Sequence, residues 1–181
     1  FNCVFENNSA TGSLGTGGAI GCYNSGSPRI VGCSFIDNSA NYRGGAIYCD
    51  SGSLTISGCT FSGNIAGWGG AIFCKSGNLT VSNCTFSNNS ATDQCGGAIC
   101  CFASTSSITG CTFSNNGAKS EGGAIHCCST SGAVITNCKF TGNSAGSGGA
   151  IRLDRSGATV ADCLFSSNSA QAGGAIYTST S

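Results

Sequence analysis

The sequence predicts an all-β solenoid, a right-handed parallel β-helix of about seven coils of 25–27 residues with three short strands in each. Three observations carry that expectation. A Gly-Gly-Ala-Ile tetrapeptide occurs seven times, a Cys-x-Phe-x-x-Asn-x-Ala motif occurs seven times in alternation with it, and the repeated apolar residues sit two apart.

The tetrapeptide falls at 17–20, 44–47, 69–72, 96–99, 122–125, 148–151 and 173–176. Its last residue supplies an aliphatic column: Ile20, Ile47, Ile72, Ile99, Ile125, Ile151 and Ile176. The second motif supplies an aromatic column, Phe5, Phe35, Phe61, Phe86, Phe113, Phe140 and Phe165, and an amide column, Asn8, Asn38, Asn64, Asn89, Asn116, Asn143 and Asn168. A β-branched residue precedes the motif cysteine by three from the second copy on, at Ile30, Ile56, Val81, Ile108, Ile135 and Val160.

Pairs such as Leu54 with Ile56, Cys59 with Phe61 and Ile72 with Cys74 show the period of two that places side chains on one face of a strand. The segments are too short for helices, and Gly-Gly disfavours one further. One coil cannot bury its inward side chains, so identical coils must stack, Phe on Phe and Ile on Ile. At about 4.8 Å per layer, seven layers span roughly 34 Å. Each buried Phe or Ile contributes about 1.5–3 kcal/mol. The column Asn falls where the chain turns, where Asn tolerates left-handed backbone, and its amide can bond from layer to layer. The Gly pair marks a corner with little room for a side chain.

The spacing from the column Asn to the next Gly-Gly varies most, so insertions gather at one corner. Residues 9–16 and 90–95 form its longest loops and the best surface for partner contact. The repeats run through residues 1–181 as a single repeat domain, and Phe1 opening inside a repeat suggests a segment of a longer chain. Either further repeats follow, or subunits join end to end into a fibre.

Seven Lys or Arg balance seven Asp or Glu, which leaves no basic stripe for nucleic acid and no polybasic patch for lipid. No apolar run approaches the ~20 residues of a membrane-spanning helix, so no membrane insertion is expected in this segment.

Seven alternating copies of GGAI and FxxN resemble the polymorphic outer membrane protein (Pmp-like) repeats of chlamydial surface proteins and related adhesin-like β-helix proteins of other microbes. The resemblance implies a right-handed β-helical region, extracellular or at the cell surface, used for adhesion or for building an extracellular structure. The regular Cys before each Phe departs from that pattern.

Fifteen cysteines invite a disulfide framework. Seven precede the Phe, at Cys3, Cys33, Cys59, Cys84, Cys111, Cys138 and Cys163, and five follow the column Ile by two, at Cys22, Cys49, Cys74, Cys101 and Cys127. Bridges within a coil, such as Cys49 with Cys59 or Cys74 with Cys84, are one reading. Reduced ladders of buried apolar thiols are the other, favoured by Leu153 standing where Cys163 would need its partner. Cys95, Cys100 and Cys128 lie off both columns, with Cys100 and Cys128 directed outward. His126 beside Cys127 and Cys128 lacks the Cys-x-x-Cys pairs of a zinc site, so no metal centre and no cofactor is expected.

A polysaccharide lyase or hydrolase needs clustered carboxylates, but the seven acids are scattered: Glu6, Asp37, Asp50, Asp93, Glu121, Asp154 and Asp162. Arg152 and Asp154 read as a solvent-facing ion pair, and His126 has no acidic neighbour in sequence. No enzyme is expected. Sequons at Asn7, Asn78, Asn83 and Asn88 are candidate N-glycosylation sites. An outward aromatic stripe of Tyr23, Tyr48, Phe73 and Tyr177 would suit a carbohydrate-binding module. The leading expectation is a structural or adhesive segment whose partners are other copies of itself, surface or matrix components, or glycans.

Overall fold

The computed structural model describes residues 1–24, 26–129, 132–155 and 157–180. These form an all-strand parallel solenoid. Three sheets have seven strands each and one has six, and within every sheet each strand pairs with the equivalent strand one coil away. Identical residues therefore sit over one another: Phe35 pairs with Phe61, Ile72 with Ile99, and Val81 with Ile108.

Three of the four sheets are the ones the apolar periodicity marks. The fourth runs through Ser39–Arg43, Ile65–Trp68, Ser144–Ser147 and their counterparts. The sequence reads this stretch as a corner because Ser, Ala and Gly are weak strand formers. In a solenoid the partner backbone one layer away supplies the pairing, whatever the side chain.

Four strands require four corners, and each is turned by one residue in the left-handed region. Between the third and fourth tetrapeptide copies and just beyond, these are Asn83 (φ 53°), Asn88 (φ 56°), Gly96 (φ 66°) and Ala103 (φ 49°). The column Asn itself is not among them, contrary to the expectation drawn from its turn propensity. The residue before it takes the strain, which frees the column Asn to point its amide inward. At the Gly-Gly corner the second glycine is needed for space: a Cβ on Gly45 would lie 2.1 Å from the Gly70 carbonyl oxygen of the next coil.

The core is a set of ladders. The Phe rings stack with centroids 4.7–4.9 Å apart and planes within 6°. Strand spacing sets that distance, so the gain comes chiefly from burial and less from the ring geometry. Asn38, Asn64, Asn89, Asn116 and Asn143 are at most 1% exposed. Each Oδ1 accepts both the backbone N–H and the side-chain amide of the Asn in the preceding coil, as Asn89 does from Asn64 at 3.0 and 2.9 Å. Each Nδ2 also donates to a Phe carbonyl, as Asn89 does to Phe61 at 3.1 Å.

All fifteen cysteines are free thiols. Those before the Phe do more than fill space. The backbone N–H of Cys59 donates to Cys84 Sγ at 3.3 Å, and the Cys84 thiol donates to the Ser82 carbonyl at 3.2 Å. The same pattern runs from Cys3 to Cys138. Thiol and amide ladders thus satisfy the N–H groups that two of the corners withdraw from the sheets.

Candidate functional site

A second, smaller core lies outside the coil, over the outer face of the Ile sheet. It is built by the two residues that flank each tetrapeptide. The residue before Gly-Gly and the residue after Ile are five apart in sequence, and the tight corner brings their side chains together. Trp68 meets Phe73 edge to face at 6.4 Å between centroids, and Cys95 Sγ lies 3.0 Å from Cys100 Sγ. Glu121 Oε2 is 3.6 Å from His126 Nε2, and Arg152 Nη1 donates to Ser147 Oγ at 2.5 Å. Positions that strand parity directs outward are thereby covered: Tyr48 is 5%, Phe73 1%, Cys100 0% and His126 4% exposed.

The outward aromatic stripe is accordingly not a solvent-facing platform. Tyr48 and Phe73 stack at 5.9 Å, and the Arg43 guanidinium covers Phe73 at 4.8 Å from its ring centre, while Tyr23 remains exposed. Leu14 at the tip of the 9–16 loop is exposed as well, and in the 90–95 loop Cys95 is buried where Asp93 and Gln94 are exposed.

Further along the same face the aromatic pairs give way to ionisable ones. In-register pairing stacks Cys100 on His126 and His126 on Arg152. His126 Nε2 is 2.9 Å from Asp154 Oδ2, and Arg152 Nε donates to both Asp154 oxygens at 2.9 and 3.0 Å. Arg152 also reaches Glu121 at 3.4 Å and covers the Tyr177 ring at 4.5 Å. Residues scattered in sequence thus converge, and one expectation needs correcting. The Arg152 and Asp154 side chains are only 16% and 13% exposed, so theirs is not a solvent-facing pair. His126, without an acidic neighbour in sequence, gains Asp154 and Glu121 from the fold.

The electrostatics follow from this packing. Burial alone would depress the imidazole of His126, but the Asp154 carboxylate, with Cys95 and Glu121 nearby, holds it protonated up to about 10. Burial works against the Asp154 carboxylate too, yet His126 and Arg152 hold it below its ordinary value. The Cys100 thiol donates to Cys95, and together with His126 this lowers Cys95 against the effect of burial. Burial and the same donation raise Cys100.

Two sets of side chains have the donor types and proximity to hold a metal ion: Cys95, Cys100 and His126, and Glu121, His126 and Asp154, each with its ligand atoms within 4.8 Å of one another. The sequence pairs His126 with Cys127 and Cys128. In the structure Cys127 faces the main core, and the thiols beside His126 come from the preceding coil. The signal that could have found this site is the fixed spacing of five between the residues flanking each tetrapeptide.

The sequon residues Asn7, Asn78, Asn83 and Asn88 are all exposed. Asn78 lines a shallow polar groove of about 350 Å³ with Ser51, Ser53, Ser76 and Thr105.

The geometry defines a right-handed β-helix. A family model described as a right handed beta helix region matches residues 19–181, and the chain belongs to that family. A second model, the Chlamydia polymorphic membrane protein repeat, matches residues 2–23, so the first coil is similar to that repeat. No curated protein and no solved structure matches the chain.

Proposed function

We propose that the chain is a structural and adhesive segment displayed at a cell surface, acting through its rigid stack and without catalysis. The observation that carries this reading is the contrast between the two sides of one sheet. Inward, the Phe column is invariant. Outward, the same strands present Val4, Ser34, Thr60, Thr85, Thr112, Lys139 and Leu164 in register. A constant interior under a variable exterior is what a scaffold for surface contacts requires. The match of residues 2–23 to the Chlamydia polymorphic membrane protein repeat supports the surface location. The absence of catalysis is supported by the mutual engagement of the acid–base groups, since Asp154 serves both His126 and Arg152.

The test is bead adhesion. Beads coated with the chain should be retained on cultured epithelial cells under flow, soluble chain should compete, and a variant with residues 11–14 replaced by Gly-Ser should be retained less. Retention no better than that of albumin-coated beads would refute the adhesive part. Release of reducing ends from a polysaccharide panel, abolished by His126→Gln, would refute the non-catalytic part.

A further inference from the structure

We propose that Cys95, Cys100 and His126 form a binding site for a zinc-type divalent cation on the outer face of the Ile sheet. Their placement argues first. Cys95 and Cys100 are 1% and 0% exposed and His126 is 4% exposed, so the three donors are packed together out of solvent. The fold does not call for them there, because the preceding coil fills the equivalent positions with Trp68 and Phe73. Where that coil buries two aromatics, these coils bury an imidazole and two thiols whose donor atoms are turned toward one another.

The distances argue second. A tetrahedral ion with metal–sulfur bonds of about 2.3 Å and metal–nitrogen bonds of about 2.0 Å holds its donor atoms roughly 3.5–3.8 Å apart. Cys95 Sγ and Cys100 Sγ are 3.0 Å apart, and Cys100 Sγ is 3.9 Å from His126 Nδ1. Side-chain rotations of less than 1 Å bring both pairs into that range.

The surroundings argue third. A metal-bound histidine characteristically gives its other N–H to a carboxylate, which fixes the ring and its tautomer. His126 Nε2 is already engaged with Asp154 at 2.9 Å, and Asp154 is itself held by the Arg152 fork. That leaves Nδ1 turned toward the thiols, 3.9 Å from Cys100 Sγ, as the nitrogen that would coordinate. Two thiolates with an imidazole select a borderline-soft ion over magnesium or calcium. Binding exchanges two S–H bonds for two S–metal bonds and releases both thiol protons to solvent, and a protonated His126 releases its Nδ1 proton as well. The fourth position falls to water.

The reduced chain, titrated with cobalt(II), should bind one ion with a thiolate charge-transfer band and intense tetrahedral visible bands, and zinc(II) should displace it. Cys100→Ser and His126→Gln should abolish the bands, whereas Cys128→Ser should keep them. Asp154→Asn should weaken binding about 10–100-fold. Because a variant that fails to fold would also lose the bands, X-ray absorption of the zinc-loaded unmodified chain gives an independent reading, with two sulfurs and at least one imidazole nitrogen expected. An all-sulfur shell, or bands that survive His126→Gln and Cys100→Ser, would overturn the site in favour of the thiol ladders. Absence of bands would overturn it outright, as would a Cys95–Cys100 cross-linked peptide from protein handled under reductant.

Discussion

Replacing Asn89 by Ala tests the amide ladder at its centre. The side chain is 1% exposed and takes part in four hydrogen bonds. Its removal leaves the Asn64 backbone N–H and one Asn64 amide hydrogen buried without acceptors, and the Phe61 carbonyl and Asn116 Oδ1 each lose a donor. An orphaned buried donor costs about 1–3 kcal/mol, so the two donors together cost about 2–6 kcal/mol. That is a large share of the ~5–15 kcal/mol by which domains are stable. The control lies in the same column: Asn8 is exposed, and its ladder bonds at 2.9 and 3.0 Å run only toward Asn38. Asn8→Ala should stay within ~1 kcal/mol of the parent. Guanidinium unfolding followed by far-ultraviolet circular dichroism reads both variants through the shift in midpoint. Equal shifts, or a loss below ~1 kcal/mol for Asn89→Ala, would show that the ladder amides are passengers on a fold held by Phe and Ile alone.

Outcomes at four further positions follow from the same structure. Cys84→Ala removes the sulfur that accepts the Cys59 N–H and should cost about 1–3 kcal/mol, with Cys84→Ser intermediate because a hydroxyl keeps the bond at a poorer distance; the same denaturation assay ranks them. Phe73→Ala should cost about 3–5 kcal/mol, as expected of a core residue and not of an outward strand position, and thermal melts would show it. Gly58→Ala meets no atom within 4 Å and should cost only the ~1–2 kcal/mol of left-handed backbone. Gly45→Ala, driven against the Gly70 carbonyl, should prevent folding, as soluble yield would report.

The main core was legible in the sequence because it repeats. Phe61 and Ile72 recur at fixed offsets with strand parity, and parity assigns their side without knowledge of the corners. The fourth sheet was not legible, because residues such as Gly117 and Ala118 carry no propensity signal, and their pairing is imposed by the neighbouring coil. The left-handed position was misjudged by one residue at each amide corner for a related reason. Asn88 and Asn89 are chemically the same, and only the stack decides which turns the chain and which points inward.

The outer cluster was illegible for a different reason. Parity divides a strand into an inside and an outside, and equates the outside with solvent. At the Gly-Gly corner that equation fails, because the residue before the glycines lies over the residue after the isoleucine, and a second buried layer forms on the wrong side of the sheet. The main ladders depend on sameness from coil to coil, but this second layer does not, since each pair is closed by its own corner. It can therefore change from Trp68 with Phe73, to Cys95 with Cys100, to Glu121 with His126 over three successive coils without disturbing a single Phe or Asn contact. A β-helix with this corner has a set of positions that are buried, adjacent and free to vary, and a metal site can arise there while the stack beneath stays unchanged.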